Sequence, residues 1–260
     1  MNVLAAILAS KRAEIAALRE GAHADAPYAA RATLDVVTAL RRDGPLRLIA
    51  EVKLKSPSAG VLSRVLDAPS RAEAYARAGA AMVSVLCDAP YFDGAWAHLA
   101  SARARVEVPL LAKEFVLDPL QIACARRHGA DAVLVIARIV DAAKLAELVR
   151  AARAHALEPL VEIVDERELE AALTAGARVV GVNARDLDTL AIDAARTARV
   201  LAAVPRDVVA LHLSGLRTPE DVAAVAASRA DGALVGEILM RQDDPTELLR
   251  RFLRAADGSR

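Results

Sequence analysis

From residue 46 onward, short apolar runs alternate with longer stretches whose apolar residues recur every three or four positions. The runs predict eight strands, at 46–53, 81–86, 108–113, 132–136, 159–163, 178–183, 208–213 and 232–235. The stretches between them predict helices, among them 69–78, 119–127, 142–154, 166–175 and 219–227. Several open on helix-start chemistry: Asp118-Pro119, Asp165 with Glu168 three residues on, and Thr218-Pro219. The joints from helix to strand repeat loosely, as Arg77-Ala-Gly-Ala, Arg127-His-Gly-Ala-Asp131, Thr174-Ala-Gly-Ala and Arg229-Ala-Asp231-Gly, about 50 residues apart, or two strand-helix units per repeat. In the first three, a glycine lets the chain reverse after the helix. Eight such units with strands apolar on both faces fit a closed (β/α)8 TIM barrel better than an open sheet. Residues 1–45 read as an N-terminal helical extension, with helices expected at 3–18 and around 34–42, and residues 1–260 as one domain.

Charge and composition narrow the function classes. Lys and Arg number 34 against 34 Asp and Glu, so no net field gathers nucleic acid or an anionic membrane surface. No apolar stretch reaches the about 18 residues of a membrane span, and Lys11, Arg12 and Glu14 stand where a signal-peptide core would be; the expected location is the cytosol. Cys87 and Cys124 sit in apolar surroundings and read as reduced core residues. Only five of the 34 basic residues are lysines: Lys11, Lys53, Lys55, Lys113 and Lys144. A lysine kept in so arginine-rich a chain is a candidate for proton chemistry, which a guanidinium cannot perform near neutral pH.

Barrel enzymes place their chemistry at the carboxyl ends of the strands. Three of the five lysines fall there, as Lys53, Lys55 and Lys113. Glu51 and Lys53 are two residues apart, so the pleat points both to the same side, toward the mouth. Glu162 ends the fifth strand, and Asn183 with Arg185 the sixth. Ser214-Gly215 after the seventh strand and Gly236-Glu237 after the eighth stand where barrels offer backbone N–H groups to a phosphate. The loop Ser56-Pro-Ser-Ala-Gly60 adds hydroxyl donors and a hinge.

Five segments closely resemble, in order and spacing, the signature segments of the indole-3-glycerol-phosphate synthase family. They are Ile49-Ala-Glu51-Val-Lys53-Leu-Lys-Ser56-Pro-Ser-Ala-Gly60, Leu111-Ala-Lys113-Glu-Phe115, Pro159-Leu-Val-Glu162, Gly181-Val-Asn183-Ala-Arg185-Asp-Leu187 and Leu234-Val-Gly236-Glu237-Ile-Leu-Met240. The resemblance extends from the N-terminal helix to about Pro245. It implies a (β/α)8 barrel with a helical extension that converts 1-(2-carboxyphenylamino)-1-deoxyribulose 5-phosphate to indole-3-glycerol phosphate, CO2 and water, with no cofactor and no metal. By the same resemblance Lys113 is the general acid, Lys53 holds the substrate carboxylate, Glu51 and Glu162 are the carboxylates of the proton transfers, and Asn183 orients the substrate. Arg185 assists with the carboxylate; Ser56, Gly215, Gly236 and Glu237 hold the phosphate beside Ser214; and Phe92, Phe115 and Leu187 enclose the aromatic ring. The implied partner is a phosphorylated small molecule, with neither nucleic acid nor membrane; protein partners are left open.

The chain departs from the family pattern at strand seven, where the usual Glu-Ser-Gly becomes Leu213-Ser214-Gly215. Glu114 for Asp, Ala184 for a polar residue and Ala95 for Ser are smaller departures. Alternation turns His212 away from the axis, so it is not expected to replace the missing carboxylate. That loss keeps two other readings open: a binding or regulatory paralogue without turnover, and a related phosphate-binding barrel isomerase, for which a Cys/Asp pair is expected at the strand ends.

Overall fold

A computed structural model describes residues 3–20, 31–57, 59–63, 65–186 and 191–258. Eight parallel strands close into a barrel: Arg47–Val52, Met82–Leu86, Leu110–Lys113, Ala132–Ile136, Glu158–Ile163, Val179–Asn183, Val209–Leu213 and Gly232–Val235. The first pairs with both the second and the eighth, which completes the (β/α)8 architecture expected from the alternation of patterns. The third strand begins two residues later than expected, because Pro109 has no N–H for a ladder and the Val108 carbonyl accepts from Arg103 instead. The structure adds helices Trp96–Arg103, Ala194–Ala203 and Thr246–Ala256, and a small hairpin of Lys55–Ser56 with Gly60–Val61 in the loop after the first strand.

The pleat divides each strand between two cores. Leu48, Ala50 and Val52 face the outer helices, as do Ala210, Val180 and Val182. Ile49, Met82, Leu111, Leu134, Leu160, Val179, Leu211 and Leu213 pack with one another inside the barrel. Val36 and Leu40, on the short helix Val36–Leu40, belong to the same inner cluster and plug the end where the strands begin. Asp131 ties the extension there: one oxygen accepts from Arg31 and the Leu34 N–H, the other from Arg103 and the Leu110 N–H. Asp231, at the matching joint, accepts from Arg229 and the Ala210 N–H. The repeated joints thus carry repeated structural work, and Gly79, Gly129 and Gly176 take the left-handed conformation there, at φ 109°, 87° and 84°.

Helix Val3–Arg19 lies against the opposite, carboxyl end of the barrel. Its Lys11 is fully buried and ion-paired with Asp88 at 2.7 Å, Glu114 at 2.9 Å and Glu14 at 2.8 Å. Burial works against the Lys11 ammonium, but Glu114, Asp88 and Glu14 outweigh it and hold Lys11 above the ordinary lysine range. Burial pushes Glu114 the other way for an acid, up to about 7 against an ordinary 4.5, even with Lys11 and the Phe115 N–H opposing.

Replacing Lys11 by Met strands two buried carboxylates, so urea unfolding of Lys11→Met is expected to show a loss of about 3–5 kcal/mol. A loss within error of zero would show that the cluster does not hold the helix. Glu114 gives a pH signature as well. The native state keeps its proton between an ordinary 4.5 and about 7, where the unfolded chain has already lost it. That contribution to stability is complete below 4.5 and is lost as pH rises to about 7. The stability of the wild type relative to Glu114→Gln should therefore fall across that window and level off above it; a difference independent of pH would contradict the assignment.

Candidate active site

The carboxyl ends of the strands open into a cavity of about 400 Å³. Inward alternation carries apolar residues through the barrel and then, one pleat further, a charged or amide side chain at the mouth. Ile49 is followed by Glu51 and Lys53, Leu111 by Lys113, Leu160 by Glu162, and Gly181 by Asn183. All five of these polar residues line the cavity, with Ser56, Phe92, Phe115, Arg185, Ser214, Gly215, Gly236 and Glu237. Leu187 lies outside the described residues.

Two ion pairs dominate the floor. Lys53 Nζ lies 3.2 Å from Glu51 Oε1, and Lys113 Nζ 3.0 Å from Glu162 Oε2. The other oxygen of Glu162 accepts from Asn183 Nδ2 at 2.8 Å. The Arg185 N–H donates to Asn183 Oδ1 at 3.0 Å and so settles which way that amide points. Glu162 is therefore held at both oxygens, one by a cation and one by a neutral donor. For Lys113, burial favours the neutral amine, but Glu162, Glu51 and the hydrogen bond to Glu162 outweigh it and raise the ammonium above its ordinary range. The Lys113 ammonium is therefore charged at neutral pH, on a side chain that lines the cavity.

At Gly236 an added Cβ would stand 2.9 Å from Glu51 Oε1 and 3.1 Å from Glu51 Cβ, so a side chain there would press on that carboxylate. The turn after the seventh strand places Ser214 at φ 68° and Gly215 at φ 87°, bringing that backbone to the rim. Ser56 is buried, and its hydroxyl accepts from the Ala59 N–H at 3.2 Å. Phe92 and Phe115 face each other with ring centroids 6.0 Å apart and make an apolar wall.

Leu213 is buried and lines the cavity beside Asn183, its register partner. Its Cδ1 fills the space over Gly181, where a Cβ would come within 2.5 Å. His212 points outward as alternation requires; its Nε2–H donates to the Ser214 carbonyl at 3.0 Å, and burial lowers its pKa. Nothing replaces the absent carboxylate from that strand.

The cavity also has residues that the strand ends did not disclose. Val3, Leu4 and Ile7 of the N-terminal helix form part of the wall, and Arg217 and Arg241 stand at the rim. Outside the cavity lining, Lys11 was visible as one of the five lysines, yet two of its three partners, Asp88 and Glu114, are 77 and 103 residues away and leave no local signal. The arginines were hidden by the abundance of their kind.

Comparison with known proteins bears on the same cavity. Residues 4–252 match the family model described as indole-3-glycerol phosphate synthase. Indole-3-glycerol phosphate synthase 1 of Streptomyces coelicolor is 40% identical, over 99% of this chain and 97% of that protein. The indole-3-glycerol phosphate synthase of Rhizorhabdus wittichii is 43% identical, over 90% of this chain and 87% of that protein. Among solved structures, 3-hexulose-6-phosphate synthase from Salmonella typhimurium superposes with a TM-score of 0.64, over 83% of this chain and all of that one, at 14% identity. A likeness at that identity concerns the barrel alone.

Proposed function

The chain belongs to the indole-3-glycerol phosphate synthase family and is a lyase of tryptophan biosynthesis; from that premise we propose that its cavity closes the indole ring on 1-(2-carboxyphenylamino)-1-deoxyribulose 5-phosphate using the side chains named above. The observation that carries this reading is the Lys113–Glu162–Asn183 arrangement on the cavity floor. Around it stand an aromatic wall, a second lysine and a glycine-bearing rim, which suit the three parts of the substrate.

The ring carbon that bears the carboxylate attacks the ribulose carbonyl, and the carbonyl oxygen takes up a proton as the C–C bond forms. Lys113 supplies it. An ammonium kept charged by Glu162 and Glu51 gives up its proton only to a group as basic as the developing alkoxide. Positive charge then sits on the anilino nitrogen, and Glu162 faces it. Breaking the bond to CO2 returns its electron pair to the ring and restores aromaticity. Lys53, with Arg185 nearby on the cavity wall, holds the carboxylate until that bond breaks. The new hydroxyl leaves as water with a proton from Lys53, and Glu51, 3.2 Å from that lysine, takes the proton from the adjacent ring carbon. Asn183 orients the sugar hydroxyls and keeps Glu162 in place. Backbone N–H groups at Gly215, Gly236 and Glu237, with Ser56 and Ser214, receive the phosphate. Phe92 and Phe115 take the aromatic ring.

The partner in this reading is the phosphorylated small molecule, not nucleic acid or membrane, and the location is the cytosol. No helix among the described residues is long and apolar enough to cross a membrane. Against an isomerase with a cysteine acid, Cys87 and Cys124 are buried and neither lines the cavity.

Indole absorbance or fluorescence develops when the purified protein meets this substrate; no product at high enzyme concentration would refute the reading. Lys113→Ala should lower kcat by about 10² to 10⁴ without loss of fold, and Lys113→Arg nearly as far, since a guanidinium does not release its proton. Wild-type turnover in the Arg variant would remove the general acid. Glu162→Gln takes away the leading charge that opposes the effect of burial on Lys113, so the alkaline limb of kcat/KM should move to lower pH. An unmoved limb would separate Glu162 from the acid.

A further inference from the structure

Behind the strand ends that carry Glu162 and Asn183 runs a chain of charged side chains that does not line the cavity. Its centre is Arg138, in the short turn Ala137–Ile139 that follows the fourth strand. Arg138 Nε donates to Glu168 Oε1 at 2.9 Å, and Nη1 donates to Asp186 Oδ2 at 2.8 Å. A third carboxylate, Asp165, is 3.8 Å from Nη2.

Each arm ends on backbone. The other oxygen of Glu168 accepts the Val164 N–H at 2.8 Å, two residues beyond Glu162. Asp186 lies 3.9 Å from Arg196, whose Nη2 donates to the carbonyls of Asn183 and Ala184, both at 3.2 Å. Arg138 therefore links the end of the fifth strand to the end of the sixth from outside. On the cavity side the same two ends meet in the 2.8 Å hydrogen bond between Asn183 and Glu162. The Arg138, Glu168, Asp186 and Arg196 side chains are between 15% and 23% exposed, shielded enough to hold a geometry that exposed surface pairs do not.

We propose that Arg138 is a positioning residue for ring closure: through Glu168 on one arm and Asp186 with Arg196 on the other, it fixes the spacing at which Glu162 can meet Asn183 and Lys113 together. This rests on the reading of Lys113, Glu162 and Asn183 given above. Catalytic groups displaced by about 1 Å lose on the order of 10² in rate, so a residue that never touches substrate can still govern turnover.

The test is a double-mutant cycle on the full chain, with kcat and KM measured separately on the authentic substrate. Arg138→Met is expected to lower kcat by roughly 10- to 100-fold while KM changes by less than about threefold. In the Glu162→Gln background it is expected to add little, because the group it positions is already impaired. Asp186→Asn, which cuts one arm and keeps the shape of the side chain, should give a smaller loss of the same kind, and Arg138→Lys should recover part of the rate by keeping one arm. Should Arg138→Met not fold, Asp186→Asn replaces it in the cycle with the same expectations. Losses that multiply in the double variant would overturn the inference, since Arg138 would then act independently of Glu162. Unimpaired Arg138→Met and Asp186→Asn beside an impaired Glu162→Gln would also overturn it and leave the reading of the site standing. An unimpaired Glu162→Gln would instead overturn that reading.

Discussion

The carboxylate of Glu162 accepts from Lys113 through one oxygen and from Asn183 through the other, and the rest of the mouth is arranged around that fork. The three residues come from the third, fifth and sixth strands, which share a site only because the sheet closes on itself. An open sheet would spread them along an edge. Closure also fixes direction: with all strands parallel, the inward rows of the first, third, fifth and sixth strands, apolar through the barrel, end at the same face in Glu51 and Lys53, Lys113, Glu162 and Asn183. The apolar floor keeps water from the lower side of the ion pairs, which strengthens the attractions above it.

Charge balance follows from the same geometry. Lys53 and Lys113 each have one carboxylate within 3.2 Å or less, so the floor is neutral before an anionic ligand arrives. A third carboxylate at the Leu213 position would have made it net acidic. Leu213 instead extends the apolar cluster upward over Gly181, and the glycine is what leaves room for it. The departure is thus integrated into the packing, and both of the remaining ion pairs are intact.

How much of this could be read from the sequence depends on the range of the interaction. Pleat alternation is local, so Glu51, Lys53, Lys113, Glu162 and Asn183 could be assigned to one cavity from spacing and strand position, and His212 assigned to the outer face. The loose repeat was legible too, and its aspartates prove to be working parts, each accepting a strand N–H 21 residues earlier. What was not legible is long in range and built from common residues. Arg138 reaches Glu168 and Asp186 across 30 and 48 positions, with no period to betray it among so many arginines. Glu168 illustrates the limit: its spacing from Asp165 reads as a helix start, and Asp165 does cap the Glu168 N–H, but the Glu168 carboxylate itself serves Val164 and Arg138.

The N-terminal extension, legible only as two helices, closes the barrel at both ends. Val36 and Leu40 seal the apolar interior where the strands begin, while Val3, Leu4 and Ile7 wall the cavity where they finish. The second contact depends on Lys11, and one of its partners, Glu114, directly follows Lys113 in the chain. A lysine buried among carboxylates is an expensive way to fasten a helix, since each ion must leave water. A purely apolar helix face would stabilise the contact as well but would not fix its register, whereas an ammonium held by Asp88, Glu114 and Glu14 has one favourable position. That position sets the wall of the cavity against the very strand end that presents Lys113, so the extension and Lys113 are located by a single cluster of charge.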